Sequence, residues 1–117
     1  MRRVRVSMDI IRDERDAYRL GYDIAKGRKG TGWMAFDIDD FIEEMEAEGK
    51  DIDRLGMEDL EEWVEGWTET NQFQYEVYDN FDPGLDFYNK ADLIMAWESG
   101  YIDYMIEALR RKGIRVR

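Results

Sequence analysis

Between Asp37 and Glu107 the chain carries 23 Asp and Glu residues against three bases, Lys50, Arg54 and Lys90. That stretch is left with a surplus of 20 negative charges, while residues 1–36 carry a surplus of four positive charges and residues 108–117 a surplus of five. Charge of one sign at this density weakens a compact state by self-repulsion. Something other than stability selects it: a partner that normally binds a polyanion, a cation to be held, or solubility. Yet 44% of the chain is hydrophobic and 16 residues are aromatic, too many for a disordered acidic tail. The chain must fold, and fold around its charge.

At 117 residues the expectation is one domain over 1–117, with basic terminal strands flanking an acidic body at 37–107. Cysteine is absent, which removes disulfides and thiolate metal sites. Arg2, Arg3 and Arg5 are followed by no apolar stretch of the kind a signal peptide needs, and no run approaches a membrane span. These features lead us to expect a soluble cytoplasmic protein with no membrane partner and no cofactor.

The alternation of Val4 and Val6 with Arg3 and Arg5 predicts a first strand over 1–7. Asp9 can cap a helix over about 10–26 with Ile11, Tyr18, Tyr22 and Ala25 on one stripe. A glycine-rich loop and a short strand at Trp33–Phe36 follow. A helix from Asp39 or Asp40 to about Glu48 buries Phe41, Ile42 and Met45; another, over Met57–Trp67, buries Leu60, Trp63, Val64 and Trp67. Phe73, Tyr75 and Val77 alternate with polar residues in a strand over 72–78, and Pro83-Gly84 marks a turn. Gly100 is expected to separate a helix over about 89–98 from one over 101–112 with Ile102, Met105, Ile106 and Leu109 inward. Gly113 is a C-cap candidate, and Ile114–Val116 a final strand. The predicted fold class is α+β: a small mixed sheet of three or four short strands packed with four or five helices.

The candidate functional residues are carboxylates. Glu58, Glu61, Glu62, Glu65 and Glu69 recur at steps of three and four, which places them on one outer face of a helix. The 58/62, 61/65 and 65/69 pairs are like charges at i,i+4 and together give up about 1 kcal/mol. Lysine at one member of each pair would reverse that sign. The preceding helix repeats the pattern with Asp39/Glu43, Asp40/Glu44 and Glu44/Glu48. A compact chain of this length has a diameter of about 35 Å. Duplex DNA presents roughly 20 phosphates over that span, a number close to the acidic surplus.

Gly32-Trp33, then Asp37-Ile38-Asp39-Asp40 and an acidic helix, then Gln74-Tyr75-Glu76-Val77-Tyr78-Asp79, a Pro-containing turn and Asn89-Lys90-Ala91-Asp92-Leu93 follow one another in an order that resembles the N-terminal part of ArdA-type antirestriction proteins. The resemblance covers about residues 22–98. It implies a DNA mimic of phage or mobile-element type, whose carboxylates occupy the DNA-binding groove of a restriction–modification enzyme. This chain is shorter than that family and adds a basic segment in front. Asp79-Asn80-Phe81 also stands where Asp-Tyr-Glu is typical. Asp79 and Asp82 join the phosphate-mimic set.

Other chemistries have less to build on. Asp51–Glu62 has acids at positions 1, 3, 9 and 12 and glycine at 6 of a calcium loop, but Leu55 and Glu58 stand at positions that demand a ligand and an apolar residue. There is no His or Cys, and Ser7 and Ser99 are the only serines, so no familiar nucleophile–base pair can be assembled and we expect no enzyme. The bases at 110–117 complement a helix dipole and could pair with the acidic face of a second copy, which makes a homodimer conceivable. Tyr78, Phe81, Phe87, Tyr88, Trp97, Tyr101 and Tyr104 would suit an interface hot spot wherever they are exposed. The leading expectation is an acidic inhibitor that binds a DNA-binding enzyme as a protein partner, without itself contacting nucleic acid. The alternatives are a protein–protein interaction module whose charge serves solubility, and a calcium-binding domain.

Overall fold

A computed structural model describes residues 11–27, 35–70 and 87–117, with the backbone alone at 67–70 and 87–90. Four α-helices make up its regular structure: α1 (Glu14–Ala25), α2 (Ile38–Ala47), α3 (Met57–Thr70) and α4 (Phe87–Arg111), with a 3₁₀ turn at Ile52–Arg54 before α3. No β-strand occurs among the described residues, and this overturns the expected α+β class. Residues 35–36, expected to end a strand, instead lead into α2, and 114–117 run extended without joining a sheet. The apolar stripes of the described helices are buried together in one core. The strands expected over 1–7 and 72–78 and the turn at Pro83-Gly84 lie outside the described residues.

The first two helices begin where an aspartate can satisfy their free N–H groups. Asp13, extended at φ −146°, accepts from the Asp16 N–H at 2.9 Å, while Asp16 accepts from the Arg12 N–H at 3.1 Å. This reciprocal arrangement starts α1 at Glu14, later than the Asp9 cap predicted from sequence. Asp37 caps α2 by accepting from Asp39 and Asp40 at 3.0 and 3.2 Å. Phe36 is fixed beside the end of α1 by its N–H to the Ala25 carbonyl, 2.9 Å. Its ring meets Phe41 at 5.4 Å and Trp63 at 5.8 Å, and Phe41 meets Trp63 edge-on at 5.4 Å. These three rings join α2 to α3, where Leu60 and Val64 are buried as their spacing predicted.

The α1–α4 pair is the main packing event. Ala17, Leu20, Gly21, Ile24 and Ala25 are the buried residues of α1. On α4 the buried stripe is Leu93, Trp97, Tyr101, Ile102, Met105 and Leu109. Gly100 does not end a helix: α4 runs unbroken through it for 25 residues. A Cβ on Gly100 would lie 2.9 Å from the Tyr18 carbonyl carbon, and one on Gly21 would lie 2.9 Å from that of Trp97. Each glycine therefore faces the other helix's backbone, and the two helices touch where neither has a side chain. The predicted α1 stripe is corrected accordingly. Tyr18 is 38% exposed, because the small residues take the central line and the tyrosines flank it.

Gly113, at φ +84°, closes α4 with hydrogen bonds from its own N–H to Arg110 and from Ile114 N–H to Leu109, both 2.9 Å. The tail then crosses to the start of α3. There Arg117 donates to the Leu55 carbonyl at 2.8 Å and accepts from Met57 at 3.3 Å. Among the described residues no helix is long and apolar enough to cross a membrane.

Candidate functional site

The acidic helices owe their outer faces to the registers just described. Burial of Phe41 and Met45 turns Asp39, Asp40, Glu43 and Glu44 of α2 to solvent. Burial of Leu60 and Val64 does the same for Glu58, Glu61, Glu62 and Glu65 of α3. All eight of these predicted residues are exposed. Glu69 lies in the last turn of α3, where the backbone alone is described. Asp79 and Asp82 lie outside the described residues.

Ion pairing on this surface is sparse. Asp39 meets Lys112 of the α4 end at 3.3 Å, with both side chains at least half exposed. Asp40, Glu43, Glu44, Glu58, Glu61 and Glu62 make no ion pair among the described residues. Neighbouring carboxylates at i,i+4 thus face water together.

Several acids of the same segment are occupied internally, which their uniform charge in the sequence conceals. Asp37 and Asp51 cap α2 and the 3₁₀ turn. Asp59 accepts the Gly56 N–H at 2.9 Å and the Lys50 ammonium at 2.7 Å. Those bonds, the backbone one first, hold its carboxyl below the ordinary value. The same contact raises the Lys50 amine, with Glu62 and Glu48 adding to the effect. Lys50 sits in a notch of about 180 Å³ lined by Met45, Glu48, Asp59, Glu62 and Trp63. Sequence reasoning missed this anchor. The available signal was a lone lysine inside a long acidic run.

Two further carboxylates are held against α1. Asp103 accepts from the Tyr18 hydroxyl, and Glu107 from the Tyr22 hydroxyl at 2.7 Å. The hydrogen bond to Asp103 pushes the Tyr18 phenol up to about 12. Tyr22 is raised likewise, by its bond to Glu107. Tyr18/Tyr22 and Asp103/Glu107 are both i,i+4 pairs, so each helix offers two groups on one face that match those of the other.

The aromatics that would suit a hot spot where exposed are not exposed at their described members. Trp97 and Tyr101 are buried, and Tyr104 packs edge-on against Tyr22 at 5.6 Å. The Phe87 and Tyr88 side chains, Tyr78 and Phe81 lie outside the described residues.

The calcium-loop acids do not converge. Asp51 caps the 3₁₀ turn, Asp53 points to solvent and Asp59 is bound to Lys50. No group of three or more acids that could hold a metal ion occurs among the described residues. The Ser99 hydroxyl donates to the Met95 carbonyl one turn back in its own helix, at 3.1 Å. What the arrangement offers chemically is a rigid, one-signed array of hydrogen-bond acceptors. No protein-family model matches the chain, and no curated protein or solved structure is similar to it at a significant level.

Proposed function

We propose that this chain is a non-enzymatic inhibitor that presents the carboxylates of α2 and α3 to the DNA-binding surface of a restriction–modification or other phage-defence enzyme, in place of phosphates. One observation carries the reading: Asp40, Glu43, Glu44, Glu58, Glu61 and Glu62 are exposed, fixed on helices and without ion pairs among the described residues. The like-charge pairs among them cost stability, so a fold that keeps them gains elsewhere. Glu58 to Glu65 rise about 10 Å along α3, a length over which duplex DNA shows roughly six charges. Four exposed carboxylates occupy that stretch, at 58, 61, 62 and 65.

Arg and Lys of the target would contact these oxygens. Binding would then fall steeply with salt and compete with duplex DNA. The test passes a nuclease-treated lysate over the immobilised protein at low salt, then challenges the captured proteins with duplex DNA. The reading requires a captured DNA-binding enzyme that DNA displaces and that the Glu61→Lys/Glu65→Lys variant fails to retain. A captured partner that DNA cannot displace, or that the double reversal holds normally, transfers the case to an interaction module whose charge serves solubility.

A further inference from the structure

The end of α4 and the tail behind it form a groove of about 320 Å³, lined among the described residues by Ile106, Ile114, Val116, Arg110 and Arg115. The three aliphatic side chains are half-buried and both arginines are exposed. Neither arginine makes an ion pair among the described residues, unlike Arg111, which pairs with Glu107 at 3.5 Å. A groove with two guanidiniums that make no ion pair among the described residues, and with aliphatic side chains beside them, is thus present on a chain whose net charge is −11. Its complement lies close by. Lys112, two residues beyond Arg110, reaches Asp39 in the first turn of α2. On that helix Glu43 and Glu44 are exposed, and Ile38 and Ile42 beside them are half-buried.

Adjacent patches of opposite charge are self-complementary under a two-fold rotation, because each patch of one copy then meets the other patch of its partner. We infer that two copies of this chain pair about a two-fold axis beside the Lys112–Asp39 contact. The Arg110/Arg115 groove of each takes the Glu43/Glu44 side of α2 from the other. The charges set the register, with Ile106, Ile114 and Val116 packed beside them. The pairing competes with the proposed enzyme target for Glu43 and Glu44 of α2 and leaves the α3 carboxylates available to it, and it is tested without that target.

Sedimentation velocity on the full chain tests it, between about 0.01 M salt, where the screening length is roughly 30 Å, and 1 M, where it is roughly 3 Å. The expected result is twice the 14.0 kDa chain mass at low salt and the single mass at high salt. Arg110→Glu/Arg115→Glu and Glu43→Lys/Glu44→Lys should each be monomeric at low salt. An equimolar mixture of the two should recover the doubled mass, since both contacts of that mixed pair are complementary. Circular dichroism establishes that each variant is folded, and Arg115→Glu alone, in the extended tail, replaces the arginine pair if that variant does not fold. A monomeric wild type at low salt overturns the inference. So does a mixture that stays monomeric, or a mass that keeps growing with concentration as an open chain of copies would.

Discussion

Gly100→Ala probes the α1–α4 crossing more sharply than any large truncation. The new Cβ would stand 2.9 Å from the Tyr18 carbonyl carbon and 3.1 Å from the Tyr22 nitrogen. Both neighbours are backbone, so relief requires moving α1 as a whole. Overpacking a close-packed contact costs about 1–3 kcal/mol, and the upper end applies where no side chain can rotate away. Alanine recovers about 1 kcal/mol of helix propensity, leaving a net loss of about 2 kcal/mol. For a domain of this size that lowers the melting temperature by about 8 °C. Gly66→Ala in α3 is the matched control, since a Cβ there meets nothing within 4 Å. It should raise the melting temperature by about 4 °C through propensity alone. Thermal melts followed by circular dichroism read both variants. Gly21→Ala should behave like Gly100→Ala, and the double variant should lose less than the two single losses combined, because one Cβ already separates the helices. If Gly100→Ala melts at or above wild type, the two backbones are not in contact and this account of the core is wrong.

Asp37→Ala removes the acceptor for two N–H groups at the start of α2 and should cost about 1 kcal/mol in urea unfolding, against near neutrality for Asp53→Ala on the surface. The Asp59 carboxyl is held below its ordinary 3.8 in the folded state, so the unfolded chain binds more protons in that window. Its contribution is complete above pH 3.8 and fades as pH falls through the lower folded value; unfolding of Asp59→Asn between those limits should show a shallower acid dependence than wild type. Tyr18 works in the opposite sense: its phenol is raised from 10.0 to about 12, so stability present below pH 10 is lost as pH climbs through the folded value. Ultraviolet titration of Tyr18→Phe should lose one late-ionising phenol from the wild-type profile, while that of Tyr101, pushed higher still by burial, remains. Glu61→Lys should stabilise the fold by about 0.5 kcal/mol by turning a repulsive i,i+4 pair into an attractive one, and an unchanged or lower midpoint would mean that repulsion on α3 is already screened.

Consistency among burial, capping and charge explains how a chain with this surplus folds at all. The described core contains no charged residue, and three partly buried acids meet donors: Asp59 with Lys50 and Gly56, Asp103 and Glu107 with tyrosine hydroxyls. Each such acid exchanges water for hydrogen bonds of comparable strength. The remainder stay in water, where repulsion is weakened by the high dielectric.

By itself the sequence determined the acidic helices. Apolar residues at helical spacing require α2 to bury Phe41 and Met45 and α3 to bury Leu60 and Val64, and that register alone sends Glu43, Glu44, Glu61 and Glu65 outward. Gly113 as a helix terminator was legible too, because it closes the basic run Arg110-Arg111-Lys112 that follows Leu109, the last apolar position of the stripe. The role of Gly100 was not legible. A glycine in a helical pattern reads equally as a break or as a point of close approach, and the choice depends on Gly21, 79 positions away in the chain. Nor could alternation over a few residues distinguish a strand from an extended tail, since a strand exists only if a neighbour pairs with it. Charge count likewise could not separate Asp59, Asp103 and Glu107 from their exposed neighbours. Whether a carboxylate is a surface charge or an internal acceptor depends on donors brought to it from another element, and the packing of α1 and the 50–56 connection supplies them.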